Sequence, residues 1–240
     1  MLVVLFTNIF FCVRIIQIVK GDSHMSAYFD FNYPLQLKIQ NKLCLVIGGG
    51  KIAARKAGRL LAAGAKVTVI ATRVLPSLQE LALKQQLNLY VRPYIPTDLK
   101  GAFLVVAATD DAEVNARIAR DAEPLQLLVN VVDAPELGNF LVPGACTLGQ
   151  LTFTVATSGN PLLTKLLLQD LQATYGQDLA AFAAFLSTQR SCVQQLLPTP
   201  AERQVFWRRV LTGELLQQVK AGQRTVAENK ILSAVENLKL

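Results

Sequence analysis

The sequence is poor in the residues that most metal sites and acid–base catalysts use. Its 240 residues include a single histidine, His24, and four cysteines that stand singly at positions 12, 44, 146 and 192. This distribution argues against a zinc site and against a histidine base, so we expect no resident metal. Isolated cysteines are typical of a reducing compartment, which predicts a cytoplasmic protein. Any proton transfer then falls to carboxylates, lysine, tyrosine or cysteine.

Charged residues are also scarce in this chain. They make up 17% of it, against 52% apolar residues, and this balance predicts a globular protein rather than a disordered one. The formal net charge is +7, and the arginines and lysines are spread along the chain without a dense block. That spread argues against a nucleic-acid-binding tail and agrees with a basic cleft for an anionic ligand. A solvated surface that is merely basic explains the charge equally well.

The start of the chain differs from the rest, and we treat residues 1–32 as an N-terminal extension. Residues 1–20 form an apolar run that three polar residues interrupt, Asn8, Arg14 and Gln17. The run has neither a basic start nor a small-residue cleavage site after it, which argues against a secretory signal. An over-extended reading frame is the favoured explanation, ahead of a membrane anchor, a vector-derived remnant around "GDSHM" or an amphipathic appendage. We expect a chain that starts at Met25 to be fully active.

From Leu43 onward the sequence alternates between two patterns. Segments of helical periodicity alternate with five short apolar runs, each typical of a buried strand: "LCLVI", "KVTVI", "LNLYV", "FLVVAA" and "LLVNVV". Strands that alternate with helices in this way predict an α/β fold with a parallel, doubly wound sheet. The folded region is expected to begin near Tyr33.

A glycine-rich segment follows the first predicted strand. The residues from Gly48 to Ala53 read Gly-Gly-Gly-Lys-Ile-Ala and fit the pattern G-x-G-x-x-A at the point where the first helix opens. Gly48 makes the turn, Gly50 lets the backbone approach a pyrophosphate, and Ala53 lets helix and strand pack closely. The amides at the helix N terminus favour an anion. The segment, with Gly49 at its centre, predicts a Rossmann-like dinucleotide-binding site.

The acid that usually ends the second strand of an NAD site is missing. This chain instead has Ala71-Thr72-Arg73 at that place. Thr72 could hydrogen-bond the ribose, and Arg73 could flank the adenine or accept a 2′-phosphate. These residues leave the choice between NAD and NADP open.

The fourth predicted strand ends in "AATDDAEVN". Thr109, at the carboxyl end of this strand, is expected to face the crevice in which such sheets bind ligands. Asp110 and Glu113 have the spacing of a capping box for a helix over residues 111–122. We therefore interpret these two acids as helix caps rather than catalysts.

The fifth predicted strand ends on an acid. "VNVVDAPELGNFLVPG" places Asp133 directly after a run of mostly apolar residues and before Ala-Pro. An aspartate in that position is typical of a turn, and on the residue pattern alone the turn is favoured. The neighbouring dinucleotide crevice and the surrounding motif instead favour a catalytic carboxylate.

Three segments follow one another in an order typical of a known family: "CLVIGGGKIAARKAGRLLAAGAKVTVIA", "LVVAATDDAEVN" and "NVVDAPELGNFLVP". The chain resembles the dehydrogenase–ferrochelatase module of siroheme synthases, the precorrin-2 dehydrogenase family. The resemblance continues through "LTFTVATSGNP" and "ERQVFWRRVLTGELLQQVKAG" and extends from Tyr33 to Gly222. Agreement of three linked motifs in order makes chance an improbable explanation.

The resemblance implies a specific activity and assembly. Members of the family oxidise precorrin-2 to sirohydrochlorin with NAD, and some also insert ferrous iron to give siroheme. They form homodimers that exchange a small segment between subunits. The expected division here is a Rossmann domain at 33–145, a small α+β dimerisation segment at 146–177 and a helical C-terminal domain at 178–240. Neither a nucleic acid nor a membrane is expected among the partners.

The resemblance also implies roles for individual residues. The essential aspartate of the family lies in an Asn-Val-x-Asp motif, which in this sequence ends at Asp133. The dinucleotide contacts of the family fall on Lys51 and Ile52 after the glycines, and on Thr72 and Arg73 after the second strand. Asp133 is then the general base that takes a proton while NAD takes a hydride.

Two other functions stay open beside this one. The chain could be a dimeric module that senses NAD(H) without turnover, or a ferrochelatase with an unused dinucleotide site. Ser158 matches a serine that is phosphorylated in some members of the family. We prefer to interpret Ser158 as a plain N-cap for a helix that begins near Pro161.

Overall fold

The computed structural model describes residues 33–157 and 159–239. The expectations for the N-terminal extension, residues 1–32, and for phosphorylation of Ser158 concern residues outside this part of the chain. Within the described ranges, no helix is both long and apolar enough to cross a membrane.

The first part of the chain forms a five-stranded sheet with helices on both faces. Its strands are β1 (Leu43–Ile47), β2 (Lys66–Ala71), β3 (Asn88–Val91), β4 (Leu104–Ala107) and β5 (Leu128–Val131). Its helices are α1 (Lys51–Ala62), α2 (Pro76–Leu83) and α3 (Ala112–Ala122). All strand pairs are parallel and the order is β3-β2-β1-β4-β5. The predicted Rossmann-like, doubly wound sheet is confirmed.

Two apolar clusters hold this sheet, one on each face. Successive residues of a strand point to opposite faces, so β1 contributes Leu45 and Ile47 to the first cluster and Cys44 and Val46 to the second. Helix α3 covers the first face with the fully buried Ile118, whereas α1 and α2 cover the second. Burial of one such large side chain contributes about 1.5–3 kcal/mol relative to leaving it exposed. Strands buried on both faces explain the continuous apolar runs in the sequence.

Strand register aligns the carboxyl ends of the central strands. Ile47 of β1 pairs with Ile70 of β2 and with Ala107 of β4, and Ala107 pairs in turn with Val131 of β5. The residues that follow these four positions therefore lie along one edge of the sheet. Between β1 and β4 the chain reverses its direction of winding, and such a switch point is where open α/β sheets bind ligands.

An antiparallel hairpin comes next in the chain. It consists of β6 (Gly144–Leu148) and β7 (Leu151–Val155), and α4 (Pro161–Thr174) packs on it. The expected boundary between residues 145 and 146 lies inside β6. Helix α4 begins where expected, but its N-cap is Asn160, whose side chain accepts a hydrogen bond from the amide of Leu163. The prediction that Ser158 caps this helix is therefore wrong, because the asparagine directly before Pro161 meets the helix amides first.

Four helices complete the described chain, α5 (Gln177–Leu196), α6 (Pro200–Val210), α7 (Gly213–Lys220) and α8 (Arg224–Glu236). They enclose a separate apolar cluster that includes Phe182, Val193, Phe206 and Ile231. Thr199 and Glu202 form a reciprocal capping box at the start of α6. The expected helical C-terminal region is confirmed.

Candidate functional site

The glycine loop between β1 and α1 follows the carboxyl end of the central strand. Gly48 has a φ of 129°, and a side chain there would overlap the carbonyl of Ala108, which follows β4. A side chain at Gly49 would overlap the backbone carbonyl of Arg73, which follows β2. These two glycines let the loop pack between its neighbours, so their role is steric.

The third glycine faces open space instead. A Cβ built at Gly50 meets no described atom within 4 Å, and Gly50 is exposed. Gly50 is the N-cap of α1, and no described side chain caps the helix there. The first amides of α1, including those of Lys51 and Ile52, consequently have no partner within the helix. An open cradle of uncapped amides at a helix N terminus fits the pyrophosphate of a dinucleotide.

The segment after β2 lies against the same loop. Thr72 and Arg73 are exposed and follow the end of β2 directly. The amide of Leu75 donates a 3.0 Å hydrogen bond to the carbonyl of Gly49, and the amide of Gly48 donates one of 2.8 Å to Ile70. The structure thus brings Thr72 and Arg73 to the side of the glycine loop, where the adenosine half of a dinucleotide bound in this fold lies.

Thr109 lies at the carboxyl edge, but its hydroxyl is already engaged. Its Oγ1 donates to Asn115 Oδ1 at 2.7 Å, and the amide of Asp111 donates to Oγ1 at 3.2 Å. Asn115 is buried and also accepts from the Thr109 amide at 3.2 Å. These bonds fix the turn between β4 and α3.

The same turn corrects the predicted start of α3. The helix begins at Ala112, and Asp111 is its N-cap, since Asp111 Oδ1 accepts hydrogen bonds from the amides of Glu113 and Val114. The predicted pairing of Asp110 with Glu113 is therefore wrong by one residue. The Thr109 hydroxyl explains the difference, because its bond to the Asp111 amide moves the first helical turn one residue along the chain.

Asp133 follows β5 at the same edge as the glycine loop. The amide of Val132 donates a 3.0 Å hydrogen bond to the carbonyl of Ala107, so β5 stays paired with β4 up to the residue before Asp133. Asp133 is exposed and begins a loop that contains a 3₁₀ turn, Pro135–Leu137. We call residues 133–140 the Asp133 loop.

The Asp133 loop returns to β5 and is fastened there by Asn139. The amide of Asn139 donates to the carbonyl of Val129 at 3.0 Å, and its Oδ1 accepts from the Val129 amide at 2.7 Å. Its Nδ2 donates to the carbonyl of Leu127 at 2.7 Å. A single asparagine thus binds β5 in the way a neighbouring strand would.

Two further side chains hold this loop, Asn130, which is the first residue of the Asn-Val-x-Asp motif, and Lys56, which no sequence motif indicated. Lys56 of α1 donates from Nζ to Asn130 Oδ1 at 2.9 Å, and Asn130 Nδ2 donates to the carbonyl of Phe140 at 3.2 Å. Burial, followed by repulsion from Arg55 and Arg59, lowers the pKa of Lys56 to about 8. The sequence carried a signal for both residues, since Asn130 interrupts an apolar strand and Lys56 stands three positions after the buried Ala53 of α1.

The geometry gathers most of the predicted site along one edge. The glycine loop, Thr109 and Asp133 follow three strands whose ends are in register, and Thr72 and Arg73 follow the fourth. A dinucleotide seated on the amides of α1 therefore shares this edge with an exposed carboxylate. Among the described residues, no group of three or more His, Cys, Asp or Glu side chains could hold a metal ion.

Two family models match this chain. Residues 35–144 match a family described as putative NAD(P)-binding, and this range contains the whole five-stranded sheet with its glycine loop. Residues 178–235 match the sirohaem synthase dimerisation region, which here comprises nearly all of α5 to α8. The first part of the chain is therefore an NAD(P)-binding domain.

Curated relatives and one solved structure agree with these matches. The siroheme synthase of Methylobacillus flagellatus is 40% identical over 201 residues, which are 82% of this chain and 42% of the relative. The siroheme synthase of Chromobacterium violaceum is 38% identical over 81% of this chain and 42% of the relative. The chain thus spans less than half the length of these relatives.

One solved structure matches most of this chain. It is titled "SirC, precorrin-2 dehydrogenase", and it superposes with a TM-score of 0.70 and 27% identity, over 86% of this chain and 100% of the other. Fold, motifs and relatives agree, and the protein belongs to the family that comprises precorrin-2 dehydrogenases and the corresponding module of siroheme synthases.

Proposed function

We propose that this protein oxidises precorrin-2 to sirohydrochlorin, with NAD as the hydride acceptor. The observation that carries the proposal is the single edge of the sheet that presents both an open glycine loop and the exposed carboxylate of Asp133. The relatives named siroheme synthase and the structure titled precorrin-2 dehydrogenase support the choice of substrate. Removal of two electrons and two protons from the substrate requires one hydride acceptor and one proton acceptor.

The chain binds the dinucleotide mainly through its backbone. The first amides of α1 donate to the pyrophosphate, and Gly50 leaves room for it because no described atom lies within 4 Å of a Cβ built there. Thr72 and Arg73 hold the adenosine half beside the end of β2. When bound, NAD supplies the two-electron acceptor that no protein side chain offers.

Asp133 takes the proton in this proposal. An ionised carboxylate offers only acceptors, and its exposed position leaves it accessible to a substrate in the crevice. A general base must lie within hydrogen-bond reach of the proton it removes, so the macrocycle must lie over β5. The net charge of +7 suits a substrate that carries several carboxylates.

An anaerobic assay tests the proposed reaction directly. Purified protein is mixed with precorrin-2 and NAD without oxygen, and the appearance of NADH and sirohydrochlorin is followed by absorbance. Stoichiometric NADH formation supports the dehydrogenase. NADH binding without any turnover would contradict it and favour the sensing module.

Iron insertion is a separate activity that the same mixture measures. Ferrous iron is added once sirohydrochlorin has formed, and formation of siroheme is compared with a sample that lacks protein. Faster insertion with protein would add iron to the substrates of this site. If no NADH forms from precorrin-2, sirohydrochlorin is supplied directly together with ferrous iron, and siroheme formation that requires the protein would then identify a ferrochelatase alone.

The assembly we propose is a homodimer. Four leucines on α4 leave large parts of their side chains exposed, Leu162, Leu163, Leu166 and Leu167. An apolar helix face next to a two-stranded hairpin is typical of a surface that a second copy covers. The match of residues 178–235 to a dimerisation region supports the same assembly. We further propose that residues 146–177 form most of the interface.

Light scattering tests the dimer. The wild-type protein should have twice the mass of one chain, and Leu166→Glu should shift it toward the monomer because the charge would be buried at the interface. Glu substituted at the exposed Leu83 on α2, away from this surface, is the matched control. A monomeric wild type with full activity would contradict the proposal.

A cytoplasmic location is also part of the proposed function, since the three described cysteines, Cys44, Cys146 and Cys192, are all free thiols.

A further inference from the structure

A partly buried chain of two hydrogen bonds connects α1 with the Asp133 loop. Lys56 Nζ lies 2.9 Å from Asn130 Oδ1, and Asn130 Nδ2 lies 3.2 Å from the carbonyl oxygen of Phe140. Asn130 is only 4% exposed, so its amide cannot exchange these partners for bulk water without opening the domain. The two bonds join residues that are 74 and 10 positions apart in sequence.

Lys56 sets the orientation of the Asn130 amide. An ammonium group has three donors and no acceptor, so it must face the oxygen of the amide rather than its nitrogen. The nitrogen is then turned toward the Phe140 carbonyl, to which it donates. With the amide reversed, two donors would face each other at Lys56 and two acceptors at Phe140. One lysine thereby fixes two hydrogen bonds.

The Phe140 end matters because it closes the Asp133 loop. The loop leaves the sheet after Val132, whose amide is bonded to Ala107, and returns at Asn139, which is bonded to β5. Phe140 adds an attachment on the face of the sheet that α1 covers. Fixed at both ends, the loop has few positions in which to hold Asp133.

We propose that Lys56 is a positioning residue for Asp133, and that it acts through Asn130 and the backbone of Phe140. The inference rests on the proposed dehydrogenase function, since Asp133 is the group being positioned. Lys56 itself touches neither substrate nor cofactor in this scheme. Its ammonium is partly buried beside β5, and this burial, followed by repulsion from Arg55 and Arg59, keeps its pKa low. The bond to Asn130 offsets the cost of holding the charge there.

The primary test compares Lys56→Met with Arg59→Met, an exposed cation three residues along the same helix. Lys56→Met should lower kcat for NADH formation by about tenfold to a hundredfold, the scale of a misplaced catalytic group. The dissociation constant for NADH should stay within about twofold, because the glycine loop is unchanged. Arg59→Met should leave both quantities unchanged. Full kcat in Lys56→Met, or an equal loss in both variants, would overturn the proposal.

Rescue and coupling separate positioning from general packing. Lys56→Arg keeps a group with donors only, so it should recover at least part of the kcat that methionine loses. Asn130→Ala should lower kcat as Lys56→Met does, and the double variant should fall no further, because both changes break one chain of bonds. Additive losses would overturn the proposal. Lys56→Gln serves as a second variant if methionine prevents folding.

Hydrogen exchange gives a readout that does not depend on turnover. Peptides covering residues 133–141 should exchange faster in Lys56→Met than in the wild type, while peptides from the glycine loop keep their rates. If the wild-type protein makes no NADH from precorrin-2, the proposed function fails while the exchange experiment still measures the link to the loop. Unchanged exchange at 133–141 would overturn the link itself.

Discussion

The two sides of the candidate site are built in different ways. The cofactor side is a loop of three glycines, two of which fit only because they have no side chain. The Asp133 side is a loop held by the side chains of Asn139, Asn130 and Lys56. In the glycine loop a new side chain takes the space that the backbone or the cofactor needs, so a single substitution there should remove cofactor binding completely. A loop held by several hydrogen bonds should lose function in steps.

The sharpest way to test the cofactor side is Gly50→Asp. The substitution places a side chain and a negative charge where the pyrophosphate should lie. The affinity for NADH should therefore fall by at least about a hundredfold. The fold should survive because Gly50 has open space around it and a φ of −84°. Fluorescence titration with NADH measures the affinity, and circular dichroism measures the fold.

Gly58→Asp is the matched control for this change. Gly58 lies on the same helix, and a Cβ there also meets no described atom within 4 Å. This variant should bind NADH normally. Equal loss in both variants would show that the helix, rather than the pyrophosphate cradle, was disturbed.

The next largest effect is expected for Asp133→Asn. The amide keeps the shape of the side chain but cannot accept a proton at neutral pH, so dehydrogenation should fall by at least about a hundredfold. NADH should still bind. Anaerobic kinetics with precorrin-2 measure the loss, and Glu136→Gln in the same loop is the control. Near-normal turnover in Asp133→Asn would assign this residue to the turn before Pro135.

A smaller effect is expected for the side chain that fastens the loop. Asn139→Ala removes the bonds to the Val129 amide and the Leu127 carbonyl, which should lower the free energy of unfolding by about 1–2 kcal/mol. Urea denaturation measures this change. Asn139→Asp keeps the acceptor for the Val129 amide but loses the donor to the Leu127 carbonyl. Its stability should therefore lie between those of the wild type and Asn139→Ala. Equal stability of all three proteins would show that water replaces both bonds.

The smallest expected effect is a pH dependence from Lys56. Its pKa is lowered from 10.5 to about 8 in the folded protein, chiefly by burial, so between these values the unfolded chain binds more protons. The stability that Lys56 contributes should therefore rise as pH rises from about 8 toward about 10. Urea denaturation of the wild type and of Lys56→Met across this range measures the difference.

Wild type and Lys56→Met must be compared with each other because the titration of Cys44 changes the stability of both proteins in the opposite direction. Burial raises the pKa of its thiol from 9.0 to about 11, so the unfolded chain loses this proton first and stability falls above about pH 9. The contribution from Cys44 is common to both proteins and cancels in their difference. A difference that does not change with pH would place Lys56 in a more solvated position.

The same contrast explains how much the sequence could predict. The five strands and the glycine loop follow from local patterns, because a buried parallel strand is a continuous apolar run and a tight turn needs glycine within a few residues. Asp133 also follows such a strand directly, but the residue pattern alone favoured a turn there; its catalytic role comes from the dinucleotide crevice and the family motif, and it stays a prediction. Asn130 and Lys56 bond across 74 positions, and no local pattern encodes that distance.

Two misplaced helix caps show the same limit at short range. Asp110 and Asp111 are equivalent as residue types, and the turn in which Thr109 Oγ1 accepts a hydrogen bond from the Asp111 amide places Asp111 at the cap of α3. Asn160 takes the cap of α4 that was expected for Ser158 because it lies next to the first helical turn. Strand β6 was not predicted either, since "GACTL" begins with small residues whose pairing with β7 depends on the turn at Gly149. In each case the start of the helix or strand depends on a neighbouring residue that the sequence pattern did not include.

The bonds of Asn139 to β5 have a consequence for aggregation. β5 is an edge strand of the sheet, and an open edge is a template on which another chain can add a strand. Asn139 occupies the outward amide and carbonyl of Val129 and the outward carbonyl of Leu127. The loop that carries the proposed catalytic carboxylate therefore also closes this edge, so two subunits cannot join their large sheets across β5 without first displacing it.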